Sequence, residues 1–346
     1  MNNADIPAAL SLAISAAGAE DAGTPTVYQW GLAVIKRIQT WDNPVIDGFM
    51  RGISLFGAEA GYLALLLLIF WCIDEKKGVR LSVTLLFSAW INAFFKTLLH
   101  QPRPFQLDPS VGKSFEPTYG IPSGHAQMSF VFWTIVASWV KPQTKRGAQG
   151  KALNYRLRAL SFALAILVSL VMGVSRLYLG VHFPTDLFAG WFLGGVTLAC
   201  YLCFEEHAAN FLAKSGLRVQ FIISAAISFV LLLTGNTLLS GAMLGMGAGY
   251  ALMLKFAPFT AKLNRGNGMK IFFILLARYI TGLAGVGALF FVFQRFAPDK
   301  NSAYHLLAYF CQPVLLGLWI YAGAPWVFIR LHLAELAERG EESTGE

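Results

Sequence analysis

The stretch RALSFALAILVSLVMGVSRLYLGVHFPTDLFAGWFLGGVTLACYLCF, residues 158–204, decides the fold. Residues 158–175 and 184–204 are apolar runs, each long enough to cross roughly 30 Å of hydrocarbon as a helix. The connection between them carries Arg176 and His182, and Asp186 stands just inside the second run. Ionisable side chains therefore gather where two spans reach the same membrane surface.

Outward from this stretch the pattern repeats. Apolar runs predict spans at about 55–73, 80–99 and 124–140 before it, and at 217–234, 237–255, 270–293 and 304–329 after it, making nine. The third run is short and includes polar residues at its start. Composition agrees: 56 % of the chain is hydrophobic and 13 % charged, against about 25 % charged in a soluble globule. The expected fold class is all-α, a polytopic transmembrane helical bundle. Residues 1–54 read as an amino-terminal arm, small and mildly acidic through residue 26, where order is expected to be poor. Residues 28–49, interrupted at Pro44, are expected to lie in the membrane interface, with a short water-exposed helix as the alternative. No basic segment precedes the alanine-rich start, so a cleaved signal peptide is not expected.

The net charge of +8 raises nucleic-acid binding, but the basic residues sit in short segments between apolar runs. Lys76, Lys77 and Arg80 follow the first span. Lys141, Lys145, Arg146, Lys151, Arg156 and Arg158 follow the third. Lys214 and Arg218 come two links later, and Lys255, Lys262, Arg265 and Lys270 later again. Positive loops at every second connection place all of them in the cytoplasm. The loops around 100–122, 176–183, 235–236 and 294–303 then face outward, in a bacterial inner or plasma membrane, and no nucleic-acid partner is expected.

Three polar clusters fall on that outward side. Lys96 and Arg103-Pro104 stand at the exit of the second span, Pro122-Ser123-Gly124-His125 at the entrance to the third, and Ser175-Arg176 through His182 to Asp186 join the fourth and fifth. Lys96, Arg103 and Arg176 can converge as three cations on a phosphate, the arginines each contacting two oxygens. Pro122 can start a helix, leaving Ser123 and Gly124 where free amides and a hydroxyl receive an anion. Phosphoryl transfer needs a nucleophile on one side of phosphorus and a proton for the leaving oxygen on the other. His182 and Asp186 are four residues apart at a helix start marked by Pro184, so Asp186 can fix the imidazole tautomer and stabilise a phosphorylated ring. No carboxylate stands so close in sequence to His125. This favours His182 as nucleophile and His125 as general acid.

Together these clusters make the chain resemble the type 2 phosphatidic acid phosphatase superfamily, which also includes vanadium haloperoxidases. Lys96 to Pro104, Pro122 to His125 and Ser175 to Asp186 match the family pattern without departure, over about residues 55–204. The resemblance implies a catalytic transmembrane core at 55–204. It implies a phosphohistidine at His182 supported by Asp186, and leaving-group protonation by His125. It also implies phosphate binding by Lys96, Arg103, Ser123, Gly124 and Arg176, with no metal or other cofactor required. The expected partner is a membrane lipid with a phosphate or diphosphate head. Phosphatidic acid, sphingoid-base phosphate, phosphatidylglycerol phosphate and undecaprenyl diphosphate all stay open. The alternatives are a lipid transporter or binding protein without turnover, and a vanadium-dependent haloperoxidase.

Residues 205–346 add about four spans and a short cytoplasmic tail without a second reaction constellation. They read either as an accessory lipid-handling unit or as a stabilising bundle. Gly245, Gly247 and Gly249 lie inside an apolar span, where helix packing explains them better than nucleotide binding. Arg278 is expected to snorkel toward Lys270, with a polar interior as the alternative. Cys72, Cys200, Cys203 and Cys311 read as packing residues, and His100, His207, His305 and His332 as loop or interfacial residues.

Overall fold

The computed structural model describes residues 25–140, 148–263, 267–299 and 301–336, and for residues 148–153 the backbone alone. The amino-terminal stretch through residue 24, Lys141, Lys145, Arg146, Arg265 and the tail from residue 337 lie outside the described residues, as does the Lys151 side chain. The fold is all-α, and its long apolar helices make a multi-pass membrane bundle.

Two compact units divide the chain, one formed by residues 1–62 and 91–199, the other by 63–90 and 200–346. In the first, α1 (Thr26–Gln39) and α2 (Pro44–Phe56) are separate helices. Pro44 is the first residue of α2, where its missing N–H costs little, and Asn43 caps the helix by accepting from the amides of Val45 and Ile46. Here α1 is no free arm. Its buried face carries Gly31 and Ile35, and a methyl at Gly31 would come within 2.6 Å of the Phe183 ring. The Gln39 amide also donates to the carbonyls of Val111 and Tyr178.

Helix α3 (Glu59–Leu68) continues through a π turn at Ile69–Ile73, and α4 is Glu75–Leu99. Then come α5 (Gly124–Ser138), α6 (Ala148–Tyr178) and α7 (Pro184–Lys214). Among the described residues, six stretches are long and apolar enough to span, and a seventh if α2 and α3, bent by 58°, make one broken span. The other two expected spans are shorter helices: α5 has 15 residues, and α8 (Leu217–Leu233) has 17. At 1.5 Å per residue, α5 reaches about 22 Å, less than a full hydrocarbon core.

The second unit adds α9 (Thr237–Phe256), α10 (Gly268–Phe296) and α11 (His305–Leu318), the last continuing through a π turn into α12 (Ala324–Arg330). Phe70, Trp71, Phe259, Tyr321 and Phe328 build its core. The glycines of α9 serve close packing: a methyl at Gly245 would overlap the Val314 backbone, and one at Gly247 would overlap Ser224.

Arg278 corrects the snorkelling expectation. It is fully buried, and its guanidinium donates to the carbonyls of Trp71 (2.7 Å), Ala261 (2.8 Å) and Leu333 (2.6 Å) while lying over the Phe259 ring. Carbonyls left open beside a π turn and two loops give an interior cation the partners that water would otherwise supply.

Candidate active site

Each cluster is delivered by the end of a helix in the first unit. At the close of α4, His100 takes a left-handed conformation (φ 48°) and its N–H bonds the Lys96 carbonyl, which terminates the helix and turns the chain toward Arg103. His100 also packs edge-on against Tyr119, so its place is structural. Pro104 holds Arg103 in extended backbone (φ −96°, ψ 157°) and begins a single helical turn through Leu107, whose Gln106 side chain accepts from the Arg103 amide.

Helix α5 starts at Gly124 with Ser123 as its cap, so Pro122 precedes the helix rather than opening it. The Ser123 hydroxyl accepts from the Ala126 amide at 3.5 Å, and its own N–H is committed to the Asp186 carbonyl at 2.9 Å. Of the groups expected to be free for an anion, the Ser123 amide is therefore occupied. It instead ties the start of α5 to the start of α7.

At the third cluster, α6 ends in a turn closed by Gly180 (φ 68°), and Pro184 opens α7 as expected. Asp186, in the first turn of α7, accepts through Oδ2 from the Phe183 amide at 2.9 Å and faces His182 Nδ1 at 3.2 Å. Arg103 Nη1 lies 3.2 Å from His182 Nε2 and 2.8 Å from the Val181 carbonyl. A guanidinium can only donate, so Nε2 presents its lone pair and the ring proton stands on Nδ1 toward Asp186. Full burial, reinforced by Arg103, Lys96 and Arg176, holds the His182 imidazole well below its ordinary pKa and hence neutral.

Lys96 Nζ donates to the carbonyls of Tyr119 (2.5 Å) and Gly120 (3.2 Å), which anchors the 116–123 loop over the site. Gly120 suits the close approach, since a methyl there would sit 3.2 Å from Asp186 Oδ2 and 2.8 Å from the Pro102 carbonyl. Arg176 is buried; Nη1 donates to the Ser54 hydroxyl and Nη2 to Glu116 Oε1, while Nε has no partner among the described residues. That donor is available to an incoming oxygen. The backbone of Ser54 pairs with the His125 ring.

Sequence reasoning missed Glu116. Its carboxylate reaches Arg176 through Oε1 and Arg103 through Oε2 at 3.4 Å, and it interacts electrostatically with His125. Its burial alone would raise the carboxyl pKa, but Arg176, Arg103, His125 and Lys96 together hold it below the ordinary range, so it stays ionised. The signal was slender: Glu116 is the one acid between Pro109 and His125. Asn92 was missed too. Its amide donates to the Pro122 carbonyl (3.3 Å) and to Gln127 (2.9 Å), and its Oδ1 would lie 3.4 Å from a methyl at Gly124.

Residues 77–208 match the family model described as the PAP2 superfamily, and residues 237–336 match the one described as PAP2 superfamily phosphatase, transmembrane extension. The chain is 26 % identical over 209 residues to lipid phosphate phosphatase delta of Arabidopsis thaliana, covering 58 % of this chain and 48 % of that one. It thus spans about half the length of that relative. It is 29 % identical over 231 residues to the glucose-6-phosphatase catalytic subunit 1 of Canis lupus familiaris, covering 62 % and 63 %. A solved structure, the transmembrane PAP2 type phosphatidylglycerolphosphate phosphatase of Bacillus subtilis, aligns with TM-score 0.44 at 22 % identity over 58 % of this chain and 96 % of that one.

Proposed function

The chain belongs to the PAP2 superfamily, and from that premise we propose that it hydrolyses a lipid phosphate or prenyl diphosphate through a phosphohistidine at His182, without a metal, on the outer face of the membrane. The observation that carries this reading is the pairing of the two His182 nitrogens. Nδ1 is held by Asp186, and Nε2 is left with its lone pair beside Arg103. A neutral imidazole so oriented is a nucleophile ready to attack phosphorus.

The phosphate dianion binds with His125 taking up a proton. In the first step Nε2 then forms a bond to phosphorus while the bond to the lipid oxygen breaks, and the His125 imidazolium gives that proton to the leaving oxygen. In the second, His125 takes a proton from water as the water displaces His182. Lys96, Arg103 and Arg176 carry the charge of the phosphoryl oxygens, and Asp186 balances the imidazolium that forms on attack. Gly124, at the first turn of α5, keeps the backbone open to an oxygen, with Ser123 beside it. Glu116 holds Arg103 and Arg176 together and yields them to the substrate.

Phosphate release from lipid phosphates and a prenyl diphosphate in liposomes tests this. Wild type should release phosphate, and His182→Ala and His125→Ala should each lose at least about a thousandfold. Acid-labile phosphate should be trapped on protein only where His182 is present. Unchanged turnover in His182→Ala would sink the mechanism. The likeness to a glucose-6-phosphatase favours a second reading, a soluble sugar phosphate as substrate. Faster turnover of glucose 6-phosphate than of every lipid tried would select it.

A further inference from the structure

A groove of about 490 Å³ runs between α2 and α6, with Phe49, Gly52 and Phe56 on one wall and Leu167, Val171 and Met172 on the other. Its volume is that of a small-molecule site, yet its walls offer a head group almost nothing polar. One end meets the chemistry. Met172 packs against Gly57, where a methyl would overlap it and would stand 3.4 Å from Cδ2 of His125. On the same stretch of α2, Ser54 bonds Arg176 through its hydroxyl and His125 through its backbone. Helix α2 is thus apolar toward the groove and polar toward the site within one turn.

We propose that this groove holds the hydrocarbon tail of the substrate, a proposal that rests on the lipid-phosphatase reading above. In-line displacement puts the leaving oxygen opposite His182 Nε2, where it receives the His125 proton as its bond to phosphorus breaks. The chain attached to that oxygen must therefore leave the site past His125, and the α2–α6 groove is an apolar opening that adjoins it. Lipid tails are as apolar as the groove, so burial there adds no hydrophobic driving force. The groove acts by geometry: it lets a long tail lie flat while the phosphate reaches Arg176.

The test compares kcat/KM for hexadecyl phosphate with that for butyl phosphate in detergent micelles. At Gly52 nothing lies within 4 Å of an added methyl, so Gly52→Phe projects a ring into the groove without a backbone clash; Leu167→Trp fills it from the other wall. Gly48→Phe places the same ring one turn earlier on α2, off the groove, where space is equally open. The long-to-short ratio should fall by about tenfold or more in both groove variants and hold in Gly48→Phe, because displacing a reacting group by an ångström costs that much. An unchanged ratio in the groove variants would overturn the proposal and leave bulk membrane lipid as the groove's occupant. A parallel loss on both substrates would also overturn it, since the substitutions would then act on His125 rather than on the tail. Absence of His182-dependent release from either substrate in wild type would sink the phosphatase reading itself.

Discussion

On the proposed function, Glu116 keeps the two phosphate-binding arginines in place before substrate arrives. Two buried guanidiniums facing each other without an anion would repel and draw in water. The carboxylate between Arg103 and Arg176 cancels part of that charge and fixes both side chains. The same contacts make it a competitor of the substrate. Glu116→Gln removes the negative charge and keeps the shape, so the variant should lose about 2 kcal/mol of stability. It should bind vanadate or inorganic phosphate on the order of tenfold more tightly. Thermal melting with and without the anion checks both, because saturating anion should restore the lost melting temperature. A variant that binds the anion more weakly than wild type would show that Glu116 helps to hold phosphate instead of standing in for it.

The elements matter here through their ends. Lys96 and Arg103 depend on how α4 stops, Ser123 and Gly124 on how α5 starts, and His182 on the turn from α6 to α7. That turn is the most constrained of these. Gly180 adopts φ 68°, and any Cβ there would overlap the Val111 carbonyl, while the neighbouring Leu179 carbonyl accepts from the Lys113 amide. Gly180→Ala should therefore cost more than about 2 kcal/mol, the left-handed penalty plus the overlap. It should also lower kcat/KM by about tenfold or more by moving His182. Melting temperature and kinetics in detergent check the pair, and wild-type values in both would refute the assignment of this turn as the mount of the nucleophile. The helix start at Pro184 and the interruption at Pro44 were legible because proline at a first turn, or inside a helix, has a local cause. The start of α5 was expected at Pro122 and lies two residues later, because Ser123 supplies the side-chain cap and holds extended backbone before Gly124.

At the scale of the whole molecule, the basic loops carry the proposal that the site faces outward. Against a background lacking Cys72, Cys200, Cys203 and Cys311, Ser110→Cys should react with a membrane-impermeant maleimide on intact cells, and Lys262→Cys only after permeabilisation. The reverse pattern would place the site on the cytoplasmic side. The bundle and its reaction motifs were readable from the sequence alone, because both have local causes: apolar runs of bilayer length, and cations and histidines set at the ends of those runs. The anion between the arginines and the buried posture of Arg278 were decided only by tertiary structure. Glu116 lies 60 residues from Arg176, and the carbonyls that hold Arg278 come from residues as far away as Trp71. No local pattern marks such partners, for a buried charge is matched to whatever the folded chain brings within hydrogen-bond reach.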